Sequence, residues 1–157
     1  MKKETEEQQA LRKLANMCSK SEHCSGEIIT KMQQWCLNEE AQSRILSKLT
    51  DGKYIDDERF CRFFVNDKIK YNKWGRRKIE QALWQKRMDT DISNKILDEI
   101  DDSEYLSVLR PMLKSKEKNI NAHNDYERKM KLIKYALGRG FTMDIIRQCI
   151  EGADDEE

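Results

Sequence analysis

Small or apolar residues return three times in this chain at identical internal spacings: Ile28, Met32, Leu37, Ala41 and Ile45, then Ile79, Leu83, Met88, Ile92 and Ile96, then Leu132, Ala136, Phe141, Ile145 and Cys149. The offset is 51 residues and then 53. A period of this length marks a tandem array in which each supersecondary unit buries part of its apolar face on the next, so an extended shape is expected. Extended arrays mostly bind other macromolecules, and the repeat therefore argues against an enzyme built around one closed pocket.

One proline, six glycines and the scarcity of alternating β-branched runs leave helix as the supported secondary structure, so the fold is expected to be all-α. An opening helix over about residues 5–20 places Leu11, Leu14, Ala15 and Cys18 on one stripe. A second begins near Ser25, where Glu27 follows Cys24 at capping-box spacing and Ile28, Ile29, Met32 and Trp35 follow. A third, over about 38–49, is stopped by Gly52 as a left-handed residue. In the next unit Asp56 or Asp57 caps a helix carrying Phe60, Phe63, Phe64, Val65 and Ile69. A helix opening near Gly75 carries Ile79, Ala82, Leu83 and Trp84, and another starts at Thr90 or Asp91 and runs to Ile100. The last unit repeats the plan with helices over about 103–118, 126–137 and 143–150. The polar stretch from Glu117 to Tyr126 reads as a mobile loop. The expected organisation is three three-helix repeats, at 1–52, 53–101 and 102–150, and an acidic disordered tail at 151–157.

Hydrophobic and charged residues each make up 38% of the 157, which suits several small units with much solvated surface better than one thick core. The formal net charge of +1 conceals an asymmetry: the stretch from Lys68 to Lys78 has no acidic residue, whereas Glu151, Asp154, Asp155, Glu156 and Glu157 crowd the C-terminus. Five cysteines form no C-x-x-C pair and follow no apolar leader, which points to a reducing cytoplasm. Cys18, His23 and Cys24 match no common tetrahedral set, so no metal is expected. His23 and His123 lie in polar links and are expected to face solvent. No apolar run approaches the roughly 20 residues needed to cross a bilayer, and no membrane association is expected.

Three segments carry a resemblance to a known family: Gly52-Lys53-Tyr54-Ile55-Asp56-Asp57-Glu58-Arg59-Phe60, then Gly75 opening a helix with Ile79 and Leu83, then Tyr135-Ala136-Leu137-Gly138-Arg139-Gly140-Phe141 followed by Ile145. In order and spacing this resembles the RecX family, bacterial regulatory proteins of the RecA recombinase, over roughly residues 8–150. The resemblance implies three tandem three-helix repeats forming an elongated, curved array. It also implies a non-enzymatic role: binding the RecA nucleoprotein filament and modulating, mostly inhibiting, its growth, ATPase and strand exchange in DNA repair, recombination and the SOS response. Three departures bear on local stability. Gly75-Arg76 stands where the family has Gly-Pro, and Lys86-Arg87 where it has Lys-Gly, which strains Arg87 if its backbone is left-handed. Cys24 replaces a capping serine, weakening that cap by up to about 1 kcal/mol.

The candidate partner- or DNA-binding residues are Lys68, Lys70, Tyr71, Lys73, Trp74, Arg76, Arg77 and Lys78, with Lys86, Lys131, Lys134 and Arg139. Closely spaced cations attract phosphates or acidic protein surfaces, exposed aromatics stack on bases or anchor interfaces, and a bound partner relieves the repulsion among the charges. The competing reading is a solvated turn whose Trp74 packs between repeats. Lys131, Lys134 and Arg139 correspond by the repeat offset to Lys78, Gln81 and Lys86, which suggests a basic strip along one side of the array, or else an ordinary solvated face. Asp56 and Asp57 lack a nearby nucleophile and read as helix caps rather than an acid–base pair. No G-x-x-x-x-G-K-S/T loop is present, so no cofactor is expected and any ATP belongs to the partner. The alternative function is a direct nucleic-acid-binding helical module of single- or double-stranded DNA. A monomer is expected.

Overall fold

The computed structural model describes residues 3–154, and side chains as far as Glu151. Among the described residues the backbone forms nine α-helices, one π-helical turn and no strand: α1 (Glu6–Lys20), α2 (Ser25–Gln34), α3 (Glu39–Asp51), α4 (Asp57–Asp67), the π turn Lys68–Asn72, α5 (Arg76–Gln85), α6 (Thr90–Glu99), α7 (Asp102–Glu117), α8 (Asp125–Gly138) and α9 (Met143–Asp154). The all-α, three-helix-repeat expectation holds. Helix α9 continues four residues past the point where the third repeat was expected to end, and Asp155, Glu156 and Glu157 of the acidic tail lie outside the described residues.

Local chemistry sets the helix starts. Thr5 Oγ1 accepts the Gln8 N–H at 3.1 Å while the Gln8 side chain accepts the Thr5 N–H at 3.0 Å, a reciprocal box that satisfies two donors at the start of α1. Asn38 and Asn124 each accept the N–H three residues on, at 2.8 Å, and open α3 and α8. Asp56 does the same for α4 through the Arg59 N–H at 2.9 Å, whereas Asp57 reaches back to the Ser25 N–H at 2.7 Å. Of the two acids expected to cap, Asp56 is the cap and Asp57 a brace. The helix α6 is started by Asp89, which accepts from the Asp91 N–H at 2.8 Å.

The repeat recurs in the backbone. Between the second and third helices of each repeat sits one residue of positive φ: Cys36 (60°), Arg87 (59°) and Gly140 (93°), spaced by the same offsets as the apolar pattern. The N–H of the following residue bonds back five residues, Leu37 to Met32 O at 3.2 Å, Met88 to Leu83 O at 3.0 Å and Phe141 to Ala136 O at 3.2 Å. These are Schellman closures, and the apolar pairs they bring together are the repeating positions themselves. Arg87 is left-handed, so it carries the strain expected of it. Gly52 is not: its φ is −81°, and the left-handed residue ending α3 is Lys53 at 61°, because the closing bond is Tyr54 N–H to Leu49 O at 2.9 Å and places the positive φ one residue later.

By compactness the chain divides into two units, Met1–Phe63 with Leu83–Ser93, and Phe64–Ala82 with Asn94–Glu157. In the first, α1 and α2 pack on α3 around Ala10, Leu14, Ile28, Met32, Ile45, Leu49 and Ile55. In the second, α7 packs on α8, on α9 and on the π turn, with Ile69, Leu109, Leu132, Ala136, Phe141 and Ile146 buried. Trp84, expected among the apolar residues of α5, is 74% exposed: Ile79 and Leu83 already occupy the buried stripe, and the residue next to Leu83 points outward. His23 is half-buried rather than solvent-facing, with Nε2 3.0 Å from Ser21 Oγ.

Candidate functional site

Each unit contains one joint in which the first turn of a helix meets a left-handed turn of the following repeat. In the first unit the start of α2 meets the turn at Lys86 and Arg87. A Cβ on Gly26 would lie 1.9 Å from Lys86 O, so only glycine permits the approach, and Cys24 Sγ stands 3.7 Å from that same carbonyl. The Glu27 carboxylate closes the joint, accepting the Cys24 N–H at 3.1 Å and pairing with Lys86 Nζ at 3.3 Å. Burial alone would push the Glu27 carboxyl up. The Cys24 N–H and the Lys86 ammonium outweigh it and hold the group below its ordinary value.

In the second unit the start of α5 meets the turn at Arg139 and Gly140. Gly75 donates to Arg139 O and Arg77 to Gly140 O, both at 2.9 Å, and a Cβ on Gly75 would lie 2.3 Å from Phe141 N. The same backbone approach is made, with glycine now on both sides.

The cation-rich segment leads directly into this second joint. The π turn closes at Lys73, whose φ of 58° is left-handed and whose N–H bonds to Lys68 O, and Trp74 donates to the same oxygen at 3.1 Å. Such single π turns recur at functional sites because they re-aim side chains within a continuing backbone. Here the turn buries Ile69 and leaves Lys70, Tyr71 and Lys73 exposed, Tyr71 by 70%. Trp74 is half-buried and its ring has two ammonium neighbours, Lys68 Nζ at 5.4 Å and Lys78 Nζ at 5.0 Å. Lys68 also lies 5.2 Å from the Phe64 ring, and Lys70 5.4 Å from the Tyr71 ring. Cation–π contacts of this kind are worth about 0.5–1 kcal/mol each at exposed sites, enough to orient the ammoniums, and Lys68 is in addition paired with Asp67 at 3.7 Å.

The structure thus gathers Lys68, Trp74, Lys78 and the Arg139 turn in one place, with Lys70, Tyr71, Lys73 and Arg77 on the adjoining surface. Other predicted residues are engaged elsewhere. Arg76 is half-buried and pairs with both Glu80 and Asp98 at 2.7 Å. Burial pulls its guanidinium down, and the two carboxylates outweigh that and hold it above its ordinary value. Lys86 belongs to the first unit, where it meets Glu27 and lies 5.8 Å from the Phe60 ring. Lys131 pairs with Glu127 at 3.2 Å, whereas Lys134 is exposed.

Sequence reasoning missed Phe64 as a platform for Lys68 and missed the exposure of Phe63 (64%) and Trp84, since apolar residues on amphipathic helices are read as core by default. It also missed a cleft of about 440 Å³ in the second unit, where Arg76, Tyr105, Phe141 and Thr142 line the wall. The Tyr105 hydroxyl there is buried with no hydrogen-bond partner among the described residues, and burial pushes it up to about 12. Among the described residues no helix is long and apolar enough to cross a membrane, and no group of three His, Cys, Asp or Glu side chains is placed to hold a metal ion.

Comparison with known proteins bears on the same segments. Residues 56–97 match the family model described as RecX, second three-helix domain, and residues 102–150 match RecX, third three-helix domain. The chain is 31% identical to the regulatory protein RecX of Acinetobacter baylyi over 93% of this chain and 89% of that protein. It is 28% identical to that of Chlorobium phaeobacteroides over 94% of this chain and 95% of that one, and 30% identical to that of Finegoldia magna over 78% of this chain but only 60% of that longer relative. Its backbone superposes on the crystal structure of RecX from Lactobacillus salivarius with a TM-score of 0.87 at 20% identity, covering 93% of this chain and 95% of the other, which establishes a shared fold. On its repeats, its backbone and its relatives together, the chain belongs to the RecX family.

Proposed function

We propose that this protein binds the nucleoprotein filament of a cytoplasmic RecA recombinase and restrains filament growth, ATP turnover and strand exchange during DNA repair and recombination. Its relatives are named regulatory proteins rather than enzymes, which supports a regulatory role. The observation that carries the finer reading is the segment Lys68–Lys78, in which a π turn holds Lys70, Tyr71 and Lys73 in solvent and Trp74 bears two ammoniums, leaving charge and aromatic surface available to a partner. In this reading the three repeats at 1–52, 53–101 and 102–150 act as one monomer on a filament that presents the same site again and again, so weak contacts gain through effective concentration. ATP is hydrolysed by the partner.

Exposed Tyr71 beside Lys70 favours one further reading, direct binding of DNA by this segment. A titration of single-stranded-DNA-dependent ATPase of the cognate recombinase at physiological salt separates the two. Filament regulation predicts loss of activity well below one molecule per recombinase protomer, and Lys70→Glu with Lys73→Glu weakens it by about ten-fold, or 1.4 kcal/mol. An unchanged ATPase together with salt-sensitive DNA binding would favour the direct reading.

A further inference from the structure

The two joints are equivalent, and one of their two charged positions is reversed in sign. By the repeat offsets Glu27 corresponds to Lys78, and Lys86 to Arg139. In the first joint those two positions hold an acid and a base, 3.3 Å apart. In the second they hold two bases on the same backbone approach: Gly75 N–H on Arg139 O at 2.9 Å, with the Gly140 turn so close to Lys78 that a Cβ at Gly140 would lie 2.5 Å from Lys78 Cβ. Neither Lys78 nor Arg139 has a carboxylate partner among the described residues, and Arg139 Nε is buried without any hydrogen-bond acceptor.

A buried guanidinium N–H left unpaired costs more than the bond it would make, and two like charges on one joint add repulsion. Both costs fall if a carboxylate approaches from outside and the Arg139 side chain turns out to meet it. The first joint displays that arrangement internally, since Glu27 accepts a backbone N–H and an ammonium together. We propose that the second joint is the receptor for an acidic side chain, Asp or Glu, of the protein partner, which supplies the carboxylate that Glu27 supplies in the first joint, with the half-buried Trp74 beside it as the apolar wall. The partner's carboxylate pairs with the Lys78 ammonium and accepts from Arg139 Nε–H once that side chain has turned outward, since the atom is buried in the unbound chain. This deepens the filament reading by naming what the recombinase must present, and it rests on that reading only for the partner's identity.

The test uses the full chain and two probes, a hexaglutamate peptide and an oligothymidylate of similar charge, with the Arg139 Nε–H resonance as readout. The expected result is that the peptide shifts this resonance and slows its exchange, and that Lys78→Glu, which installs a carboxylate at the position equivalent to Glu27, abolishes the shift while leaving the melting temperature equal or higher. If the oligonucleotide alone shifts it, or if neither probe does, the carboxylate receptor is overturned. In the ATPase titration Lys78→Glu is expected to weaken inhibition by about ten-fold, whereas Lys3→Glu, at an exposed position before α1, is not. Normal inhibition by Lys78→Glu would sink the receptor and leave filament binding standing. Absence of inhibition by the natural chain would sink filament binding, and the peptide titration would still decide the receptor.

Discussion

Three residues at one place in the repeat show how a single backbone requirement is met with different side chains. Cys36, Arg87 and Gly140 all adopt positive φ, and only the last is free of the Cβ clash that makes this region costly for L-residues. Arg87→Gly should therefore stabilise the chain by about 1 kcal/mol, read as a higher urea midpoint with unchanged slope. Gly140→Ala should cost more than that is worth, since its Cβ would approach Lys78 N to 2.7 Å as well as adopting positive φ. Cys36 is exposed and makes no joint, which leaves its turn tolerant of change. Glu27 is the residue where charge and stability are coupled. Its folded carboxyl titrates below its unfolded value, so its contribution is complete above the unfolded value and disappears as pH falls through the folded one. Lys86→Met should lower stability near neutral pH and flatten the acid side of the stability profile, as followed by urea unfolding across about pH 3 to pH 7.

Helix starts decide how elements dock. At α2 the first turn carries Gly26 because the Lys86 carbonyl occupies the space a Cβ would need, so Gly26→Ala should cost several kcal/mol, about 2–5, or force the joint apart, detected as a loss of the Glu27–Lys86 pair and a lowered melting temperature. At α5 the first turn gives two N–H groups to the Arg139 turn, so the missing proline at Arg76 matters less than a bare helix start would suggest. These elements were largely readable beforehand. Capping chemistry at Asp56 and the apolar spacing within each repeat place helix starts within a few residues. The π turn at Lys68–Asn72 was not, because nothing in Lys-Ile-Lys-Tyr-Asn distinguishes a wider turn from the last turn of α4. Ile69 is buried there and the turn packs on α7, a contact remote in sequence. The same holds for Arg76, legible as a cation but not as one spent on Glu80 and Asp98.

At the scale of the molecule the repeats and the compact units do not coincide. Residues 56–97, matched as the second three-helix domain, are shared: 56–63 and 83–93 belong to the first unit, 64–82 and 94–97 to the second. A chain shortened to residues 1–101 keeps the middle repeat's sequence but loses Arg139 and Gly140 as acceptors, so the Gly75 and Arg77 amides, hydrogen-bonded in the full chain, should exchange hydrogen rapidly. Protection equal to that of the full chain would contradict the joint. The amino-acid sequence alone determined the all-α class, the three-fold repeat and the family, since helical periodicity and repeat spacing are properties of order along the chain. Only the tertiary structure decided which cations are neutralised and which stand open. Lys78 and Arg139 lie 61 positions apart, as Glu27 and Lys86 lie 59, and charge balance at a joint is set by which side chains meet in space, not by their neighbours in sequence.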